Sequence, residues 1–296
     1  VNPQVLCIGV ITVDTIALVE KYPAEDERVL AQEIVRAGGG PAAVASVALA
    51  RLGISSAIAG TIGNDADGDY VLEIFKREGV NTEGITRTTT PTAGSVIVAS
   101  LEHSSRAINT RQPIQQAALN EQAKAIAAKA DWVHVDHVGV HLLQGAGIVR
   151  GAGPKISFDA GYGVENFDVA TVDLFAPNDK SLMSRHPGKS FEEALKIDAE
   201  NSHSLVVATK GSDGSTGYSQ DTGLVTAPSF KTEIVSTLGA GDVFHGALLA
   251  QLLQGFPLQE GIRRANAVAA LSCQGLDGQS AIPTTSELNT YLSGVK

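Results

Sequence analysis

Sulfur, aromatic rings and positive charge are all scarce in this sequence. It has two cysteines, Cys7 and Cys273, near opposite ends of 296 residues. Two distant thiols make no disulfide framework, so a reducing cytoplasm is the expected setting. Aromatic residues make up 5%, which argues against a stacking platform for bases. No apolar run approaches the roughly 18 residues of a membrane span. The N-terminus also has no basic stretch leading into an apolar one, so no secretory leader is expected. Lys and Arg number 22 against 32 Asp and Glu, a net charge of −10. That field opposes phosphate backbones and anionic lipid, so neither nucleic acid nor membrane is an expected partner. Several motifs are missing too. No Gly-Lys-Ser/Thr follows a glycine-rich turn, which excludes a Walker loop. Gly9 stands alone before Asp14, which excludes a dinucleotide fingerprint after the first strand. The histidines show no metal-ligand spacing, and no repeat recurs at 20–50 residues.

What is present suits a buried core: 43% hydrophobic against 18% charged residues. Short apolar segments at Val5–Val10, Ala57–Ile62, Trp132–Val138, Ile156–Ala160, Leu174–Ala176 and Ser204–Thr209 read as strands, with one or two more between Val225 and Val235. Helices are expected over Ala42–Leu52, from after Gly68 through Lys76, and over Asn120–Ala130, Phe191–Asn201, Ala240–Leu253 and Leu258–Cys273. Strands alternating with helices imply an α/β fold, a doubly wound and mainly parallel sheet with helices on both faces. Residues 12–36 and 91–112 break the alternation and read as extended ribbon. They are assigned to a small β lid within one domain spanning 1–296. The exposed edges of such a ribbon invite pairing, so a homodimer through the lid is expected.

The run Thr237-Leu238-Gly239-Ala240-Gly241-Asp242-Val243-Phe244-His245-Gly246-Ala247 carries the chemistry. Glycines at 239 and 241 let the backbone approach a ligand. The N–H groups at the start of the helix that follows form an anion site. Asp242, in the first turn, is placed to take a proton from an attacking hydroxyl while those donors hold a transferred phosphoryl group. Read by spacing alone, the same residues could be a tight turn with Asp242 as an N-terminal cap. His245, one turn on, reads as a packing residue rather than a second base.

The run Gly239-Ala240-Gly241-Asp242-Val243-Phe244 resembles the second signature of the ribokinase (PfkB-type) sugar kinases. Gly38-Gly39-Gly40-Pro41-Ala42-Ala43, leading to Ala50-Arg51-Leu52-Gly53, resembles their first, and Gly63-Asn64-Asp65-Ala66-Asp67-Gly68 a third block. Weaker likeness runs from residue 5 to residue 283. The resemblance implies a ribokinase-like fold with a β lid and transfer of the γ-phosphate of ATP, with Mg²⁺, to a primary hydroxyl. Asp242 would be the base, with Gly239, Ala240 and Gly241 as the anion hole. Asp14 would hold sugar hydroxyls, with Gly39 and Gly40 beside them. Asn178, Thr209, Gly211, Gly214 and Asn266 would serve the nucleotide. Lys210 would either reach a phosphate or stay solvated.

Two subgroups come nearest. The segment Val5–Glu27, with Asp26 reaching toward a partner's site, resembles ketohexokinase. Pro41 and Val44 stand where that enzyme has asparagines. The glycine-rich run at 38–43, Ala107-Ile108-Asn109 and the run 239–247 resemble bacterial sulfofructose kinase. Val138 matches the arginine that holds its sulfonate, leaving Arg106 or Arg111 as the cation, with Asn109 nearby. A ketose or ketose derivative is therefore the expected acceptor. Val44 and Val138 keep open a nucleoside kinase. Ser181 stands where the family has a glutamate serving the metal, which keeps open a non-catalytic sugar binder. Ser236 and Leu238 replace the usual potassium-binding Asp and Thr, so no strong potassium activation is expected.

Overall fold

In a computed structural model, the described residues are 2–102, 105–112, 114, 118–162 and 166–295. His103 and Ser104, within the second ribbon segment, lie outside them. The strands are β1 Val5–Ile8, β2 Thr12–Val19, β3 Ala31–Gly39, β4 Ser56–Gly63, β5 Asn81–Thr88, β6 Gly94–Ser100, β7 Ser105–Arg111, β8 Trp132–Val135, β9 Lys155–Ala160, β10 Leu174–Pro177, β11 Leu205–Thr209, β12 Ser215–Ser219 and β13 Gly223–Ala227. The helices are α1 Pro41–Arg51, α2 Ala66–Glu78, α3 Glu121–Ala127, α4 Asp179–Arg185, α5 Phe191–Ser202, α6 Ala240–Leu253, α7 Leu258–Ser272 and α8 Thr285–Gly294.

The main sheet runs β13-β12-β11-β10-β9-β8-β1-β4-β5. Every neighbouring pair is parallel except those at the β11-β12-β13 end. β1, β4, β8 and β10 are buried along their whole length. They read as continuous apolar runs because both faces are covered by helices. On one face Cys7, Trp132 and Val207 pack with the α1, α6 and α7 layer. On the other, Leu6, Val133, Phe158 and Val206 pack with the layer of α3 and α5.

A second sheet, ordered β3-β2-β6-β7, is the expected lid. Its inner face buries Ile16, Leu18, Ile97 and Ala99 against Leu276. The third motif block proves to be its anchor. Asp65 caps α2 by accepting from the Gly68 N–H, and it also takes the amide and hydroxyl of Thr92. Thr92 in turn accepts from the Gly63 N–H, just before β6 begins.

Several elements differ from expectation. β5, β12, α4 and α8 went unread, whereas β13 is the single strand found where one or two were expected near 225–235. The site-bearing ends are held by one side chain. Arg51 at the end of α1 grips both Glu78 carboxylate oxygens at 2.8 and 3.0 Å and donates to the carbonyls of Gln279, Ser280 and Ile282. Arg51 holds the Glu78 carboxyl below its ordinary 4.5. A carboxylate whose pKa falls on folding stabilises the fold above its unfolded pKa, and that stability drains as pH drops through the folded value. Glu78→Gln should therefore lower Tm at pH 7, with the deficit shrinking in melts below pH 4.5. A deficit constant with pH would mean the pair contributes packing alone.

Candidate active site

The first turn of α6 forms the floor of the site. Gly239 precedes the helix at φ 73° with no side-chain cap, and its α-hydrogen side faces the backbone of Gly278. That left-handed backbone, under a second glycine, is why a side chain is absent here. The Ala240 N–H reaches back to the Thr237 carbonyl at 3.4 Å. The N–H groups of Gly241 and Asp242 belong to the first turn, which has no intrahelical acceptor for them, and so face the cleft as donors.

Two hollows meet over this turn. One, of about 350 Å³, is lined by Pro41 of α1, by Arg106 and Ile108 of β7, and by Asp136, His137, Asp159, Tyr162, Asn178 and the run 237–242 with His245. The other, of about 270 Å³, is more apolar, with Phe230, Ile234, Phe244, Ala269 and Cys273 facing Thr209, Gly211, Gly214 and Asn266. Thr209, Thr237, Ala240 and Gly241 line both. A group bound in either hollow therefore abuts the same backbone donors.

Three carboxylates stand at the strand ends and α6. Asp136 follows β8 and accepts from the N–H groups of Val10, Val138 and Gly139 at 2.7–2.9 Å. Burial nonetheless pushes its carboxyl up. Asp159 in β9 accepts from the Gly161 N–H at 3.1 Å and faces His245 Nδ1 at 3.4 Å. Asp242 is pushed well above the ordinary carboxylate range, by burial first and then by its negative neighbours Asp159 and Asp136, with Arg106 opposing. A raised pKa makes a stronger proton acceptor, the property a general base requires.

The remaining expected site residues separate into groups. Asp14 sits on the inner face of β2, almost buried, accepting from Thr12 at 3.0 Å and from Ser95, with burial raising its pKa. A Cβ at Gly39 would overlap its carboxylate, and one at Gly40, where φ is 98°, would overlap the Val10 carbonyl. Arg106 reaches from the lid to donate to Thr237 Oγ1 at 2.9 Å. Arg111, at the end of β7, lies beside Gly94 and lines neither hollow. Asn109 pairs with Val96, both exposed, on the lid's outer face, away from the cleft. β alternation puts it opposite Arg106 and Ile108, which corrects its expected substrate role.

Val44 is buried in α1 and lines neither hollow, and Val138 spends its N–H on Asp136. Neither makes the wall apolar, contrary to expectation. The Lys210 ammonium lies 4.7 Å over the Phe191 ring rather than on a hollow's wall. Asn178 lines the cleft, but its amide donates to the Gly161 carbonyl and its oxygen caps α4 at the Ser181 N–H. Ser181 donates to the same Gly161 carbonyl at 3.0 Å. Asn266 has its polar atoms committed to Ser215 and to the Ala227 and Pro228 carbonyls, so it builds the pocket wall instead of reading a base. Ser236 accepts from the Leu238 N–H.

Asp136, Asp159, His137 and Tyr162 were not read from the sequence. The first two had a signal, since each lies at the carboxyl end of an apolar strand in a parallel sheet, where such folds bind ligands. Among the described residues no helix is long and apolar enough to cross a membrane.

Comparison with known proteins agrees with this geometry. The model for "pfkB family carbohydrate kinase" matches residues 2–147 and 168–285. A ribokinase of Lactococcus lactis is 28% identical over 98% of this chain and 97% of its own length. The ketohexokinase of Mus musculus is 26% identical over 93% of this chain and 98% of its own. Among solved structures, the ribokinase of Arabidopsis thaliana, complexed with ribose and ATP, superposes with a TM-score of 0.84 at 21% identity, covering 99% of both chains.

Proposed function

Because the chain belongs to the pfkB family of carbohydrate kinases and is a phosphotransferase acting on a sugar hydroxyl, we propose that it moves the γ-phosphate of ATP to a primary hydroxyl of a small furanose-sized sugar, a ketose or a pentose. The observation that carries this is the meeting of the two hollows over the first turn of α6. ATP placed in the apolar hollow directs its terminal phosphate to the N–H groups of Gly241 and Asp242. A sugar in the polar cleft brings its hydroxyl to Asp242 from the other side. Asp242 accepts the proton, and the N–H groups of Gly241 and Asp242 hold the charge on the transferring group. Asp14 and the backbone at Gly39 and Gly40 hold the sugar's other hydroxyls. Arg106, bound to Thr237, draws the lid over the bound sugar and keeps water from taking the phosphate.

Magnesium fits as an ion carried with the nucleotide. Asn178 and Ser181 are both tied to the Gly161 carbonyl, so these two offer the ion no dedicated cage. Asn178, on the cleft wall, is placed for the ion's water shell. When bound, the ion offsets the negative charge of the phosphates.

A nucleoside acceptor fits less well, since Val44 and Val138 do not line the cleft. The serines at 181 and 236 argue little for a pure binder, because each fills a local hydrogen-bonding role. The test is ADP release with Mg-ATP across ribose, fructose, tagatose, sulfofructose, fructose 6-phosphate and adenosine. A single sugar far above the others, and little release without acceptor, is expected. Adenosine leading the panel, or release indifferent to acceptor, would overturn the reading.

We also propose pairing of two copies through the lid. Its outer face exposes Ile34 and Val96, and Leu30 lies nearby, 88% exposed. Asn109 would lie in that interface. A monomer mass in sedimentation at micromolar protein would defeat it.

A further inference from the structure

Between the main sheet and α6, beneath the cleft floor, His134, His245 and Asp159 cluster with buried Ser157 beside them. His134 of β8 is fully buried, His245 of α6 is 5% exposed and Asp159 of β9 is 8% exposed. β8 and β9 are in register at His134 and Ser157, and Asp159 falls two residues on, on the same face. α6 lays His245 across them. Neither His134 Nε2 nor His245 Nδ1 has a hydrogen-bond partner. Two buried, unpartnered imidazole nitrogens beside a carboxylate are costly as they stand, and such groups in a native fold imply something that satisfies them.

We propose that His134, Asp159 and His245 form a binding site for a divalent transition-metal ion of the zinc class, separate from the magnesium that travels with the nucleotide. Four observations converge on it. The ligand types, two imidazoles and a carboxylate, are those of three-ligand zinc sites. The ligand atoms all lie within 4.8 Å of one another. Bonds of about 2.0–2.2 Å in tetrahedral geometry set ligands roughly 3.3–3.5 Å apart, and His245 Nδ1 and Asp159 Oδ2 stand 3.4 Å apart. A small rotation of the imidazoles closes the remaining span.

The outer shell is the fourth observation. His134 Nδ1 pairs with Ser157 Oγ at 3.1 Å, which leaves Nε2 as the free nitrogen. Asp159 commits Oδ1 to the Gly161 N–H and presents Oδ2. Metal-ligating histidines and carboxylates are typically oriented in this way by a partner on the other atom. Both Asp159 and His245 line the cleft, so a fourth position on the ion opens toward solvent or substrate. The three residues are far apart in the chain, which is why their sequence spacing shows no ligand pattern.

The test uses the full-length protein, stripped with a chelator and free of nucleotide, titrated with Co²⁺ and then Zn²⁺. One equivalent of Co²⁺ should give the intense visible absorption of a four- or five-coordinate ion, and Zn²⁺ should displace it. His134→Gln and His245→Gln should each weaken binding by about 100-fold, and His137→Gln, at the cleft rim, should leave it unchanged. Should either ligand variant fold poorly, Ser157→Ala retains all three ligands and removes only the partner of His134. It should weaken binding about tenfold. Uptake that survives both ligand substitutions, uptake lost in His137→Gln, or no uptake at all would overturn the site and leave water as the bridging group. Sugar-dependent ADP release in Mg-ATP with a zinc-selective chelator present reports on the kinase reading independently.

Discussion

Asp242→Asn should lower kcat by about a thousandfold, within the 10²–10⁴ span of general acid–base catalysis. Asparagine keeps the shape of the side chain and the first turn of α6, and it removes the ability to accept a proton. Nucleotide affinity should stay within a few fold, because the backbone N–H donors of the first turn of α6 are untouched. Melting temperature should rise or hold. Burial and the neighbouring Asp159 and Asp136 work against a charge at this position, and a neutral amide relieves that. Parallel measurements of kcat, ATP affinity and Tm give the pattern. A fall in kcat matched by equal losses in nucleotide affinity and Tm would show that Asp242 acts as a structural cap and not as the base.

Gly39→Ala tests the proposed sugar contacts at Asp14, which lies outside the lining of both hollows. A single methyl group there would overlap the Asp14 carboxylate and the Thr12 hydroxyl. Both belong to a buried hydrogen-bonded cluster on β2. The carboxylate must turn away from the position proposed for sugar hydroxyls. kcat/KM for the sugar should drop by about 100-fold, the worth of two or so charge-assisted hydrogen bonds. The loss should appear mainly in the sugar KM, with that for ATP unchanged, since Gly39 is remote from the apolar hollow. Ser95→Ala, which removes the hydroxyl partner of Asp14 and of Thr110 but keeps the Ser95 amide, should move the same parameter by less. An ATP KM that rises in step with that of the sugar would place the effect in folding rather than in recognition.

The sheet, the lid and the family were legible because their signals are local and strong. Apolar runs such as Val5–Ile8 mark buried parallel strands, and glycine-rich turns lead directly into α1 and α6. The unread strands have weak signals of their own. β5 at the sheet edge is Asn-Thr-Glu-Gly-Ile-Thr-Arg-Thr, polar along most of its length. β12, Ser-Thr-Gly-Tyr-Ser, is admitted to the sheet because Gly217 leaves space for Ile262 of α7. α8 did carry a readable mark, the capping box of Thr284 and Glu287.

Within the site, the backbone signals were readable and several side-chain roles were not. Gly40 and Gly239 have the positive φ their place in the motifs suggests. Asn109, Val44, Asn266 and Lys210 depart because facing depends on register and on neighbours from elsewhere in the chain. Asn109 turns outward through a two-residue period counted from Arg106. Lys210 settles on a ring contributed by α5.

α1 and α6 meet at Gly246, where a Cβ would run into the Ala45 carbonyl. Only hydrogen fits between the helices, so Pro41 at the head of one and Asp242 at the head of the other are fixed to a single plate. Arg106, Ile108, His137 and Tyr162, which line the rest of the cleft, are mounted on a lid strand and on loops outside that plate. The molecule is thus divided into an invariant tool and an interchangeable jig. Substitutions at the rim can retune which sugar is held without disturbing the phosphoryl-transfer geometry, whereas a change at the helix contact alters both at once.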